Sequence, residues 1–407
     1  MVQRGMSSRK ILSGSTPLSM EREFAVYHKS GDPFGKPETD DLILRLRRVL
    51  SRIPQQTEVV EEVAANSIEL KVCFSTIGGI RNAIKEVYRI FAEEIDKLGV
   101  YVIGISQPKS SDAISHGMSH FMTVDIFKQA AISLAAANSM HLHIGVETEA
   151  DAVALYAAGN LITPLTLALS QCAIVDGQER GRAHLLRNFY TGLPNDLVLP
   201  WTVETISDFE LGMERARIEV EKIVCRMSSD ERAVLSQRYP TYISADGAVM
   251  KLTPDKVFHP LRMRPDKAVT EKHLFGSVEY RAIDGQATMH ADLAHIEFVM
   301  GLLSYELGLR AGAPLVAAES QEIIDKILSI ADTGLSGIVW NGISNPADAL
   351  GCAVLGLADI GIQPQYLFSL PFDGGNSEFS LMRGLSREEV IQMNHIRFMS
   401  SVLSPEH

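Results

Sequence analysis

Four short stretches set polar or charged side chains two residues apart, with apolar residues in the opposite phase. Glu21 and Glu23 fall in Glu-Arg-Glu-Phe-Ala-Val, and Glu69 in Ser-Ile-Glu-Leu-Lys-Val. His141 and His143 fall in Met-His-Leu-His-Ile-Gly-Val, and Glu279 and Arg281 in Val-Glu-Tyr-Arg-Ala-Ile. Alternate side chains of an extended strand point to opposite faces. Met140, Leu142, Ile144 and Val146 would then face one side, and His141, His143 and Gly145 the other. A single strand of this kind is readily a solvated surface, and a single His-x-His pair is readily structural. Four are better explained as one sheet whose polar face is a concave site. Acids gathered there repel one another unless protonated or neutralised by cations. Oxygen ligands with one imidazole suit Mg²⁺ or Mn²⁺.

The chain has 407 residues, enough for a large core. Apolar residues make up 46% and charged residues 22%, ordinary values for a globular protein. A net charge of −12 argues against a nucleic-acid partner, which would need a basic face. Cys73, Cys172, Cys225 and Cys352 are far apart, with no Cys-x-x-Cys. Neither a zinc knuckle nor a disulfide framework is indicated, and a reducing cytoplasm is expected. Residues 1–15 are basic and polar, without the apolar stretch of a signal peptide. No apolar run reaches the roughly 18 residues that span a bilayer. Residues 152–170 come nearest, interrupted by Asn160, Thr163, Pro164 and Thr166. The expected partners are therefore small molecules, with no nucleic acid and no membrane.

The elements that must position these side chains follow from periodicity and punctuation. Strands are expected at 19–27, 57–63, 67–74, 100–105 and 273–283, besides the His-x-His stretch. Helices are expected at 42–53, capped by Asp40 and Asp41, and at 80–98, ended by Gly99. Others are expected at 124–137, 149–171, 210–227, 229–238, 292–309, 318–331, 347–360 and 386–402. Pro164 predicts a kink in the fourth of these, and Ser386 with Glu389 a capping box in the last. Residues 107–120, with His116 and His120, and 175–200, with Arg187, read as irregular segments. Phe372 to Ser377 reads as a turn. Arg262 and Arg264 form a basic pair at i and i+2 in a stretch that is otherwise hard to assign. Residues 1–18 read as a flexible lead and 19–407 as a single domain around one sheet. Residues 294–310 are apolar enough for a core or for a homodimer interface.

Taken in order, the motifs carry a resemblance. They are Glu21-x-Glu23, then Glu62 and Glu69, then His141-x-His143-x-Gly145-Val146, then Gly276-Ser277-Val278-Glu279-x-Arg281. This set resembles the carboxylate–amine ligases of the glutamate–cysteine ligase type, which share their catalytic sheet with glutamine synthetase. The resemblance covers roughly residues 19–300. It implies an α+β fold: a curved, mainly antiparallel sheet with helices packed on its outer face. It also implies ATP and Mg²⁺ or Mn²⁺. A carboxylate, typically the γ-carboxylate of glutamate, would be phosphorylated and then attacked by an amine such as that of cysteine. Such a transfer relies on cations and positioned donors rather than on covalent help from the protein.

By that resemblance Glu21, Glu23, Glu62, Glu69, His141 and Glu279 are metal ligands, and Glu23 and Arg281 act in catalysis. Arg281 would hold the transferring phosphoryl group. His143, Arg262, Arg264 and Arg187 would contact nucleotide or substrate. The sequence departs from the pattern at Ser19-Met20, at Asn66-Ser67 and in the loop around Glu179-Arg180-Gly181, where Arg187 is out of register. These departures bear on the amino acid pocket, and they leave open a carboxylate–amine ligase that uses a different amino acid or amine. Two other classes compete. A zinc hydrolase built on His141 and His143 would leave Glu21, Glu23 and the Glu279/Arg281 pair unexplained. A binding subunit that had lost catalysis would have little use for the ordered charged set.

Overall fold

The computed structural model describes residues 10–53, 57–62, 64–105, 137–170, 174–175, 178–179, 182–198, 200–238, 240–244, 246–254, 257–265, 275–310, 313–333, 346–370 and 385–403. The first half runs β1 (Leu18–Tyr27), α1 (Lys36–Leu50), β2 (Thr57–Glu61), β3 (Ser67–Ser75), α2 (Ile77–Leu98), β4 (Tyr101–Ile103), β5 (Ser139–Val146) and α3 (Glu149–Ser170). Then come a two-stranded ribbon of β6 (Ile174–Val175) and β7 (Gln178–Glu179), and helices α4 (Arg182–Gly192), α5 (Asn195–Val198), α6 (Ile206–Cys225) and α7 (Ser229–Arg238). The chain returns to the sheet with β8 (Leu261–Arg264) and β9 (Gly276–Asp284). It closes on α8 (Met289–Arg310), α9 (Ala317–Thr333), α10 (Pro346–Asp359) and α11 (Arg387–Leu403).

The main sheet has seven strands in the order β2-β3-β1-β5-β9-β8, with β4 beside the end of β1. Every pairing within it is antiparallel. The fold class is α+β, as expected. β1 lies near the middle because its side chains alternate in kind. Met20, Phe24 and Val26 supply an apolar face, and Ser19, Glu21 and Glu23 a polar one. On the apolar side Phe24 meets Tyr88 and Phe91 of α2 and Phe398 of α11, with ring centroids 5.0–5.8 Å apart. Further along, α3 closes on β8. A Cβ at Gly159 would fall 2.2 Å from a Leu261 methyl, so a larger residue there would have to displace that side chain. α8 and α10 come closer still, with Gly301 against Ala353 and Gly356 against Gly301.

Two register shifts adjust the strands. Between Met140 and Leu142 of β5 the partner moves from Ile283 to Tyr280, so Arg281 and Ala282 together oppose His141. Between Leu18 and Met20 of β1 the partner moves from Ser75 to Val72. Bulges of this kind bend a strand and re-aim side chains next to sites.

Several expectations are corrected. α1 begins at Lys36 rather than 42, because Gly35 precedes Pro37 and its N–H is accepted by Glu38 at 2.8 Å. Asp40 and Asp41 therefore lie inside the helix. Much of the irregular 175–200 segment is the helices α4 and α5, so Arg187 is helical. β4 stops at Ile103. Of the stretch expected to be core or interface, residues 294–304 are buried in the chain's own core, which is one of the two readings. α3 is long and apolar enough by composition to cross a membrane, and it is buried within the fold from Ala152 to Ser170. The expected segments at 107–120 and 124–136, the turn at 372–377, and Cys172 lie outside the described residues.

Candidate active site

Strand register brings the polar face together. Glu21 of β1 stands opposite Lys71 of β3 on one side and His141 of β5 on the other. Glu23 stands opposite Glu69, and His143 opposite Glu279. Glu279 in turn stands opposite Arg262 of β8, and Arg264 opposite Ser277. Directly opposed residues on antiparallel strands share a face. One surface therefore carries side chains from five strands.

The face has two electrostatic poles. At the β1/β3 pole, Glu21 Oε2 lies 3.5 Å from His141 Nδ1, and Glu21 Oε1 lies 3.3 Å from His143 Nε2. Glu23 Oε1 lies 3.9 Å from His141 Nε2, and its other oxygen accepts the Ser139 N–H at 2.8 Å. Lys71 Nζ bridges Glu69 at 2.7 Å and Glu21 at 2.9 Å. At the β8/β9 pole, Glu279 is enclosed by guanidinium groups. Arg281 Nη1 is 2.8 Å away, Arg264 Nη1 3.0 Å and Arg262 Nη1 3.6 Å. Arg262 is also anchored, its Nε donating to the Val257 carbonyl at 2.8 Å.

Titration follows the poles. Burial alone would raise the Glu279 carboxyl, but the charges of Arg281 and Arg262, then of His143 and His141, hold it well below the usual range. Burial acts against Glu21 as well, and its contacts with His141 and His143 outweigh that and lower it. Glu69 goes the other way. Burial, then the charges of Glu62 and Glu21, raise it well above the ordinary value despite Lys71. The acid pole thus sets three carboxylates against the one ammonium of Lys71, and the arginine pole sets three guanidinium groups against the one carboxylate of Glu279.

The residues fit a divalent cation. Ligand atoms of Glu21, His141 and Glu279 lie within 4.8 Å of one another, and so do those of Glu23, Glu69 and His141. His141 is common to both groups, and His143 belongs to neither. His143 is 1% exposed, and its Nε2 faces Glu21 Oε1 across 3.3 Å. Two carboxylates and one imidazole in each group is a hard-cation donor set rather than a zinc His-x-His set.

Of the residues expected from sequence, Glu21, Glu23, Glu69, His141, His143, Glu279, Arg281, Arg262 and Arg264 share this face. Glu62 lies one step beyond β2, its N–H bonded to the Ser67 carbonyl, and acts on Glu69 through its charge. Arg187 is not on a sheet strand; it is half-buried on α4, which packs alongside β9. Lys71 was missed, although it lies two residues after Glu69 on the same face of an alternating strand. Arg22 was also missed. Its partner, Asp292, has no sequence signal that links the two.

No protein-family model matches the chain, and no curated protein is similar to it in sequence. The fold is shared with solved structures whose names are those of a synthetase and a ligase. One is a bifunctional glutathione synthetase from Pasteurella multocida, at TM-score 0.60 and 12% identity over 96% of this chain. This chain spans about half of that one, 53%. Another is the glutamate–cysteine ligase of Francisella tularensis in complex with AMP, at TM-score 0.58 and 13% identity, covering 98% of this chain and 90% of that one.

Proposed function

We propose that the protein is an ATP-dependent ligase that joins a carboxylate to an amine through an acyl phosphate, with glutamate and cysteine as substrates and γ-glutamylcysteine as product. The observation that carries this reading is the two-pole face, with acids around His141 at one end and three arginines around Glu279 at the other. A polyphosphate needs both kinds of partner. The fold shared with a glutamate–cysteine ligase in complex with AMP supports a nucleotide there.

In this reading Glu21, Glu23, Glu69, His141 and Glu279 would hold Mg²⁺ or Mn²⁺, with Glu62 contributing charge. Divalent ions held there supply neutralisation of the phosphates and of the charge that develops during transfer. Arg281, aimed by the bulge opposite His141, binds the transferring phosphoryl group. Arg264 and Arg262 hold flanking phosphate or carboxylate oxygens, for which the guanidinium fork is matched. His143 meets nucleotide or acceptor at the centre, and Arg187 contacts substrate from α4. The γ-carboxylate oxygen attacks the γ-phosphorus and ADP leaves; the amine then attacks the acyl carbon and inorganic phosphate leaves. Residues 19–407 act as one catalytic domain, and the cytoplasm supplies ATP and free thiols.

The test is ADP release by the purified full chain with Mg²⁺, ATP and glutamate, against a panel of amines that includes cysteine. Release that depends on both glutamate and an amine is expected. A protein that binds Mg-ATP and yet releases no ADP with any member of the panel is not this ligase.

A further inference from the structure

Lys71 has no part in the chemistry proposed above, yet it is tied to the acid pole more closely than any imidazole there. Its ammonium lies 2.7 Å from Glu69 and 2.9 Å from Glu21. Glu21 belongs to one of the two groups able to hold a cation, and Glu69 to the other. The ammonium therefore spans both. β3 delivers it there by alternation, two residues after Glu69 and directly opposite Glu21. The side chain is 24% exposed, with its ammonium held between the two carboxylates.

We propose that Lys71 is a resident cation of the acid cluster, taking a place between Glu21 and Glu69 that a divalent ion would otherwise fill. The proposal rests on reading the face as a metal–nucleotide site. Mg²⁺ binds oxygens at about 2.0–2.1 Å and Mn²⁺ takes a similar oxygen shell, so neither ion can share that place with Nζ. A tethered ammonium also brings one charge rather than two. Glu21 and Glu69 are thereby satisfied in part without an ion, and the chain binds one ion fewer than its carboxylates could hold.

The test counts bound ions rather than turnover. Full-chain wild type, Lys71→Met, Lys71→Gln and Lys71→Arg are titrated with Mn²⁺ in the absence of nucleotide. Bound ion is read from the loss of the free Mn²⁺ resonance signal, and circular dichroism confirms that each variant is folded. The neutral variants are expected to bind one more Mn²⁺ per chain than wild type, and Lys71→Arg the same number as wild type. Equal or lower counts in the neutral variants overturn the proposal. The wild-type count is a separate reading. A wild type that binds no Mn²⁺, with or without ATP, removes the ligase assignment, while the difference between variant and wild type still decides the role of Lys71.

Discussion

Arg22 and Asp292, 270 residues apart in sequence, form an ion pair with no solvent exposure on the reverse side of the strand that carries Glu21 and Glu23. Arg22 Nε lies 3.0 Å from Asp292 Oδ2, and Tyr88 donates its hydroxyl to the same oxygen at 2.9 Å. Arg22 also donates to the carbonyls of Glu23, Gly104 and Gln286 at 2.6, 2.9 and 2.7 Å. Gly104 and Gly285 leave room for the guanidinium, since a Cβ at either would fall within 2.4 Å of it. Removing one partner of such a pair strands a buried charge, at a cost of about 3–5 kcal/mol. Arg22→Ala should lower urea-unfolding stability by that amount. A loss below about 1 kcal/mol would show that the pair contributes little.

Arg281→Ala tests the arginine pole. Its contact with the phosphoryl group matters most in the transition state, so kcat should fall about 10²-fold or more. The dissociation constant for Mg-ATP, measured by calorimetry, should move little, because Arg262 and Arg264 remain. Unchanged kcat would contradict the role given to Arg281.

Metal dependence tests the acid pole. Glu21→Gln removes an anion from one cation group and a partner of His141, His143 and Lys71. Mn²⁺ binding by Glu21→Gln should weaken at least tenfold, and ADP release should fall with it. Chelation of wild type with EDTA should abolish ADP release, and added Mg²⁺ should restore it. Activity that survives chelation would remove the need for the acid cluster.

Acid should destabilise the fold through two interior histidines. Burial lowers His295 to about 3, and burial with the charge of Arg262 lowers His259 to about 3. The unfolded chain takes up these protons near pH 6.5, where the native chain does not. The stability these groups lend is complete above pH 6.5 and is lost as pH falls from 6.5 towards 3. Each proton contributes a slope of about 1.4 kcal/mol per pH unit within that window. Urea titrations from pH 7 to 5 should show this slope, and His295→Gln should reduce it by about one proton. An unchanged slope would place the acid response elsewhere.

The contact between α8 and α10 should tolerate no side chain at its centre. A Cβ at Gly301 would fall 2.3 Å from the Ala353 carbonyl oxygen, and one at Gly356 only 1.8 Å from that of Gly301. Backbone cannot swing aside as a side chain can. Gly301→Ala should cost about 1–3 kcal/mol, read from thermal or urea unfolding. A neutral result would mean that the helices separate freely.

The polar face was legible because its signal is local. Strict alternation in β1, β3, β5 and β9 assigns each acid and imidazole to one side, and that side proved to be shared. Strand order was not legible, since nothing local says that β5 inserts between β1 and β9. Arg22 shows the limit. Alternation puts it among apolar side chains, which reads as a blemish until Asp292 and Tyr88 are seen beneath it. Arg187 shows another, because its spacing is helical but its neighbours, rich in glycine and charge, resemble a loop. The start of α1 was hidden for a related reason: the capping residue is Gly35, which offers no side chain to recognise.

The central position of β1 has a consequence for how the molecule is made. Its acids are emitted early, but the histidine that faces them follows 120 residues later, and β9 later still. Until those segments arrive, β1 has one long edge without a partner and can be captured by any other extended chain. Folding from denaturant should therefore be slow and sensitive to protein concentration, and successful folding should favour conditions that keep unfinished chains apart.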